Sequence, residues 1–294
     1  MKKVMKQSGK ALCYFLFYFL GAQGVVAFII QFCMGMMAGS QARDAGIVFA
    51  SQEEAVAAAN NFYFSNMGID LAIRAVFLLA FFAIFFLIRK KNVAAELNLQ
   101  KTSGKKLIAS VLGAVFVIFF VNGCLNLVSL LSQESMDSFE QASSVLYGYP
   151  LWQALLANSL LVPIAEEVVF RGLLFSRLQK AMPNVAVALI TSVVFGLVHG
   201  QFIWMLFAFV VGLVLSFVRI KTGSILPTIL MHVMINTYAT LVSYNVLNIN
   251  STVVMIGLMA IGFLSIFGCV FLMLKACKEE SGSNAKIEVS TVVI

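Results

Sequence analysis

Long apolar stretches alternate with short polar segments along nearly all of this chain. Eight stretches are long enough to cross a hydrocarbon layer of about 30 Å as helices, and they lie at 11–38, 69–88, 107–132, 151–179, 185–202, 203–219, 224–243 and 252–274. Only Gly200 and Gln201 separate the fifth from the sixth, so one bent or re-entrant element would give a similar pattern. The pattern predicts an all-α, polytopic membrane helix bundle with about eight transmembrane helices.

The composition agrees with a membrane environment. Of the 294 residues, 61% are hydrophobic and 11% are charged, whereas roughly a quarter of the residues in a soluble domain are charged. We expect one transmembrane domain over residues 1–278, and a polar, disordered tail over residues 279–294. The segment 40–68, rich in alanine and asparagine, is predicted to be partly helical and to lie outside the membrane.

The distribution of basic residues predicts the orientation. Lysine and arginine accumulate in cytoplasmic loops, and orientation alternates from one helix to the next. With the N-terminus inside, the opposite side carries only Arg43 and Arg74 as bases, beside several acidic residues. The segments predicted to be cytoplasmic carry the other bases that this rule counts: Lys2, Lys3, Lys6, Lys10, Arg89, Lys90, Lys91, Lys101, Lys105, Lys106, Arg177, Lys180, Arg219, Lys221, Lys275, Lys278 and Lys286. An even number of crossings then places both termini in the cytoplasm.

The net charge of +7 is divided among separate short loops and follows the orientation rule in each of them. Topology therefore explains the charge better than nucleic-acid binding does, and we expect no nucleic-acid partner. Membrane lipid is the expected surrounding. Short basic loops also fit a multi-pass protein of a bacterial plasma membrane.

Two adjacent carboxylates occupy the fourth apolar run. Glu166 and Glu167 are the only acidic side chains between residues 151 and 274, and a carboxylate inside a bilayer usually faces an internal cavity and marks function. Glu167 precedes Arg171 by four residues, the favourable order for an ion pair on one helix face. Glu166 lies about 100° around the helix from Glu167 and has no such partner at i+3 or i+4, so it must face another element.

The two histidines are the natural partners, since their side chains titrate nearest to neutral pH. A hairpin that turns near Pro183 brings Glu166 and His199 to about the same height, roughly 25 Å from the turn at 1.5 Å per residue. His232 and Asn236 share one helix face four residues apart, and the seventh run can bring them to a similar level. One such residue alone is most often an interhelical hydrogen bond, but the set predicts a functional site in one layer.

Three motifs in this region resemble those of the CAAX protease and bacteriocin-processing family (CPBP, also called Abi), and the region spans about 150–240. They are E-E-x-x-x-R as Glu166, Glu167 and Arg171, F-x-x-x-H as Phe195 and His199, and H-x-x-x-N as His232 and Asn236. The resemblance implies an intramembrane endopeptidase that acts on membrane-associated or prenylated peptides and proteins.

The resemblance also implies a role for each motif residue. Glu166 would be the general base, and His199 would help it hold and activate a water. Glu167 would orient Arg171, while His232 and Asn236 would stabilise the oxyanion. Amide hydrolysis needs such a base, and it needs donors where negative charge develops on the carbonyl oxygen.

The dependence on a metal stays open at this point. Glu166, His199 and His232 are a suitable zinc ligand set of the His₂Glu type, with a fourth place for water. The H-E-x-x-H spacing is absent, however, so no local motif fixes a metal. One divalent metal, such as zinc, and a metal-free glutamate mechanism are equally compatible with the sequence.

Two other classes of protein compete with a peptidase. A non-hydrolytic bacteriocin immunity or interaction protein could keep the same fold, although every catalytic position of the motifs is filled here. A transporter could use glutamate and histidine to relay protons, but the two halves of the chain carry no matching broken helices. The peptidase is therefore our main hypothesis.

Overall fold

The computed structural model describes residues 2–247 together with Ile261 and Phe271. Residues 2–247 form ten helices and contain no strand, which confirms the predicted all-α class. The helices are α1 (2–44), α2 (Gln52–Ser65), α3 (Met67–Ile88), α4 (Val93–Glu96), α5 (Gly104–Leu131), α6 (Gln133–Leu146), α7 (151–178), α8 (Asn184–Leu197), α9 (Phe202–Thr222) and α10 (Leu226–Ser243). Apart from Ile261 and Phe271, the predicted eighth apolar helix lies outside the described residues, and so does the predicted tail.

Five helices among the described residues are long and apolar enough to cross a membrane, namely α1, α3, α5, α9 and α10. Helix α8 is apolar but shorter, with 14 residues, and α7 follows the fourth apolar run from end to end. The chain is therefore a multi-pass integral membrane protein, as predicted. The count of eight crossings and the placement of both termini in the cytoplasm stay predictions.

Local sequence signals set several helix boundaries. The side chains of Ser51, Ser132 and Gln201 each accept a hydrogen bond from a backbone N–H in the first turn of α2, α6 and α9, respectively, which satisfies donors that a helix N-terminus leaves free. Gly223 ends α9 with a φ of 72°, a left-handed conformation that glycine adopts without a steric penalty. Gly223 thus separates α9 from α10.

Wide π-helical turns interrupt α1 and α7. They span Phe17–Val26 in α1, and Leu155–Leu161 and Val168–Leu174 in α7. The last of them starts directly after Glu167. Turns of this kind are rare and occur frequently at functional sites.

Helices α8 and α9 form a tight hairpin around small residues. A Cβ atom on Gly196 would lie 2.7 Å from the backbone oxygen of Met205, and one on Gly212 would lie 3.1 Å from the Cβ of Ser192. Small residues at such a crossing let two membrane helices approach closely. The turn at 198–201 joins α8 to α9, so the fifth and sixth apolar runs form two separate helices.

Replacing Gly196 with alanine should therefore destabilise the protein by about 1–3 kcal/mol, because the new methyl group forces the α9 backbone to move. Thermal unfolding of the purified protein in detergent measures this effect. Gly35→Ala in α1 is the matched control, since a Cβ atom there has no neighbour within 4 Å. Equal unfolding temperatures for the two variants would contradict the close packing of the hairpin.

The connection between α3 and α5 ties the end of α7 to the start of α10. The Asn98 side chain donates to Ser176 Oγ at 2.5 Å, and the Asn98 carbonyl accepts from the Ile225 backbone N–H at 3.2 Å. Nearby, the Ser224 hydroxyl donates to the Gln100 carbonyl at 2.8 Å. These bonds fix the relative position of the two helices that carry the glutamates and His232.

Candidate active site

The second glutamate of α7 is a buried ion-pair partner. Arg171 Nη1 lies 2.8 Å from Glu167 Oε1, and neither side chain has exposed surface. The ion pair inferred from their spacing is thus present. Arg171 Nη2 also donates to the Gly212 carbonyl of α9 at 3.0 Å, and its guanidinium lies 4.5 Å from the centre of the Phe195 ring. Arg171 therefore joins α7 to both helices of the hairpin.

His232 lies between the two glutamates. Its Nδ1 donates to Glu167 Oε1 at 3.1 Å, and its Nε2 lies 3.8 Å from Glu166 Oε2. The sequence hypothesis paired His232 with Asn236 and paired Glu167 with Arg171 alone. The difference arises because α10 packs directly against α7, so that one carboxylate receives both the guanidinium and the imidazole.

The second histidine, in the turn after α8, is held by the end of that helix. His199 Nδ1 donates to the Phe195 carbonyl at 2.7 Å, which leaves Nε2 as the acceptor of a neutral ring. The Phe195 ring meets the His199 ring edge to face at 4.9 Å between centres, and it meets the His232 ring in the same way at 5.8 Å. One buried phenyl group thus fixes the orientation of both imidazoles.

Glu166 faces a cavity rather than an arginine. Its side chain is 12% exposed, and among the described residues His232 is its only ion-pair partner. A cavity of about 290 Å³ lies against it, and His199 lines the same cavity. The structure thus places Glu166 and His199 on the same cavity.

Asn236 lies in the next turn of α10, and its side-chain amide donates to the Asn158 carbonyl of α7 at 3.0 Å. An amide nitrogen carries two N–H groups, so one of them stays available to another acceptor. Asn236 therefore continues the α7–α10 contact that His232 begins.

The arrangement of these side chains does not match a three-ligand metal site. No group of three His, Cys, Asp or Glu side chains in the described part of the chain has the spacing that a metal ion needs. We therefore derive no step through a metal, and the metal alternative stays a prediction.

Three polar residues of the cavity wall come from the first half of the chain and were missed in the sequence hypothesis. Tyr18 and Gln23 lie in the π-helical part of α1, and Arg74 lies in α3. The spacing of Asp70 and Arg74 within an apolar helix is the signal that could have identified this wall, because charged side chains inside a membrane helix need partners.

The comparison with protein families supports the motif region. Residues 148–238 match the sequence model of the type II CAAX prenyl endopeptidase Rce1-like family. This match confirms the resemblance that the three motifs indicate, and it covers α7, α8, α9 and most of α10. Helices α1 to α6 lie outside the matched region. No solved structure matches the chain.

Two curated bacterial proteins are similar to this chain. One is the Bacillus subtilis (strain 168) protein named "Putative membrane peptidase YdiL", 27% identical over 148 residues, which is 49% of this chain and 59% of that protein. The other is the UPF0177 protein YxdF of Lactococcus lactis subsp. lactis (strain IL1403), 28% identical over 145 residues, which is 48% of this chain and 80% of that protein. The matched segment thus spans little more than half of the Bacillus relative.

Proposed function

Because residues 148–238 match the Rce1-like CAAX prenyl endopeptidase family, we propose that this protein is an intramembrane endopeptidase. Its substrates are membrane-associated or prenylated peptides and proteins that reach the bilayer. The observation that carries the proposal is the position of Glu166, which has no arginine partner among the described residues and faces an internal cavity together with His199.

In this proposal Glu166 is the general base. A water between Glu166 and His199 loses a proton to the Glu166 carboxylate as its oxygen attacks the carbonyl carbon of the scissile amide. In its neutral form, the His199 ring accepts a hydrogen bond from the second O–H of this water at Nε2, because Nδ1 already donates to the Phe195 carbonyl. Protonated Glu166 then delivers its proton to the leaving nitrogen as the C–N bond breaks. The products are a carboxylic acid and an amine, and the acid then passes its remaining proton to the amine, which leaves a carboxylate and an ammonium group.

His232 is the donor for the oxyanion in this scheme. In this scheme His232 donates from both ring nitrogens. Its Nδ1–H donates to Glu167, and its Nε2, which lies 3.8 Å from Glu166 Oε2 and so beyond hydrogen-bond distance, donates to the substrate oxygen as negative charge develops there. The ion pair of Glu167 with Arg171 keeps the Glu167 carboxylate in place, so both residues position the imidazole rather than touch the substrate.

Replacing His232 with alanine should lower kcat by roughly 10²- to 10³-fold, the usual cost of losing one oxyanion donor. Glu167 keeps Arg171 as its partner in this variant, so the protein should still fold. Initial rates with a cleaved peptide measure the effect, and thermal unfolding checks the fold. A His232→Ala variant with wild-type kcat would remove His232 from the mechanism.

A peptidase assay on the purified protein tests the proposed function. Wild-type protein and Glu166→Ala are incubated with membrane peptides, and new termini are identified by mass spectrometry. Metal content is measured on the same samples, which separates a metal-dependent from a metal-free enzyme. We expect cleavage by the wild type only. Biological activity retained by Glu166→Ala, with no cleavage by the wild type, would instead support the immunity or interaction protein.

A further inference from the structure

A second charged group lies on the cavity, supplied by helices outside the matched family region. Arg74 of α3 lines the same cavity as Glu166 and His199. Among the described residues that line this cavity it is the only lysine or arginine, as Glu166 is the only acid. The cavity therefore has a cationic and an anionic side chain in otherwise largely apolar walls.

The position of Arg74 is fixed by polar partners on its own helix and on α1. Its Nη2 donates to Asp70 Oδ2 at 2.9 Å, and its Nη1 donates to Gln23 Oε1 of α1 at 2.6 Å. Asp70 is fully buried and also accepts from the Tyr63 hydroxyl of α2 at 3.0 Å. The Arg74 side chain is 12% exposed, so a largely buried framework holds the guanidinium beside the cavity.

The protein leaves this guanidinium only partly satisfied. In the part of the chain that the structure describes, Arg74 Nε has no hydrogen-bond partner, and each Nη group has a further N–H beyond its one bond. A buried donor without an acceptor costs free energy. An incoming acceptor would recover this cost, and a carboxylate is the group that matches the planar fork of arginine best.

Tyr18 connects the two charged sides of the cavity. Its side chain interacts with the Gln23 amide, and it lies within electrostatic range of both Glu166 and Arg74. A peptide in this space would therefore contact both a cation and the proposed base. The volume of about 290 Å³ is at the low end for a ligand pocket, so only a short peptide segment fits.

We propose that Arg74, held by Asp70 and Gln23, is a substrate-binding residue that takes a carboxylate of the peptide while Glu166 faces the scissile bond. This inference rests on the proposed peptidase function. The carboxylate can be the free C-terminus of the substrate or an acidic side chain, since both present the same oxygen pair. Arg74 then determines specificity for anionic peptides. Asp70 is a positioning residue, because its carboxylate holds the Arg74 guanidinium.

Binding of matched peptides tests the inference without requiring cleavage. The probes are N-acetylated hexapeptides of alternating leucine and alanine, with a C-terminal carboxylate or a C-terminal amide. A second pair, both amidated, carries glutamate or glutamine at the fourth position. Affinities are measured by calorimetry in lipid nanodiscs, on Glu166→Gln protein that cannot consume the peptides. In one of the two pairs, we expect the anionic peptide to bind roughly 10- to 100-fold more tightly than its neutral counterpart. This is the affinity that a hydrogen bond to a charged group usually contributes.

Variants of Arg74 decide whether that preference comes from this residue. Arg74→Gln should abolish the preference for the anionic peptide. Arg43→Gln should retain that preference, because Arg43 is exposed and lies outside the cavity. Where Arg74→Gln fails to fold, the pair Asp70→Asn with Arg74→Gln removes the cation without leaving Asp70 buried and unpaired. A purely structural ion pair would change stability and leave the ratio of affinities unaltered.

The outcomes separate this inference from the proposed function. Equal affinity for both members of both pairs, or a preference that persists in the Arg74 variants, overturns the role of Arg74 even if the wild type cleaves peptides. A preference that depends on Arg74 supports that role even where no bond is cleaved. Absence of cleavage by wild-type protein contradicts only the peptidase assignment, because binding is measured separately. A preference in the first pair identifies the C-terminal carboxylate as the group bound, and a preference in the second pair identifies an acidic side chain.

Discussion

Glu166→Gln is expected to lower kcat for peptide hydrolysis by roughly 10²- to 10⁴-fold, the range for loss of a general base. The amide has nearly the same shape as the carboxylate but cannot accept the proton of the attacking water. The unfolding temperature should change little, because Glu166 faces the cavity and forms no ion pair with an arginine among the described residues. Initial rates and thermal unfolding on the same preparation measure both effects.

The matched control is Glu140→Gln, which alters an exposed carboxylate on α6 outside the cavity. This variant should retain wild-type kcat and stability. The assignment of Glu166 as the base would be wrong if Glu166→Gln kept more than about a third of the wild-type kcat, since no general base contributes so little. A large loss of stability in Glu166→Gln would also contradict it, because the only ion-pair contact of Glu166 among the described residues is the 3.8 Å approach of His232.

Arg171→Met should have the largest effect on stability, about 3–5 kcal/mol, because it leaves Glu167 as an uncompensated buried charge. Arg171 and Glu167 have no exposed side-chain surface. The variant also loses the bond to the Gly212 carbonyl and the contact with the Phe195 ring. His232 can offset part of the charge through its 3.1 Å contact with Glu167. Unfolding in mixed micelles with increasing denaturing detergent measures the free energy.

The double variant Glu167→Gln with Arg171→Met is the control for this prediction. It removes both charges, and apolar or neutral groups often replace a buried ion pair at small cost, so it should recover much of the stability that the single variant loses. Its activity should stay low, because His232 loses its anionic partner. A single variant as stable as the wild type would mean that Glu167 does not depend on Arg171.

Helix positions followed closely from the sequence. The apolar runs at 69–88 and 107–132 correspond to Met67–Ile88 and Gly104–Leu131, because polar residues mark where each helix leaves the lipid. The π-helical turns in α1 and α7 could not be predicted in this way. Both helices are mostly apolar, and their few polar side chains do not distinguish one helical period from another.

The contacts within one helix were also predictable, and those between helices were not. The spacing of Glu167 and Arg171 is enough to predict their ion pair, since residues four apart share a helix face. The contact of His232 with Glu167 depends on how α10 is rotated against α7. The cavity wall that contains Tyr18, Gln23 and Arg74 depends on how α1 and α3 pack. Both helices lie outside the motifs that indicated the site.

Hydrolysis of a cleaved peptide in water enriched in ¹⁸O tests the central claim most directly, with wild-type and Glu166→Gln protein compared in one experiment. If Glu166 activates water for direct attack, the wild type incorporates one ¹⁸O atom into each new carboxyl group and forms no covalent peptide adduct, and Glu166→Gln produces almost no product. A peptide adduct trapped on the wild-type protein, or labelled product from Glu166→Gln at the wild-type rate, would contradict it.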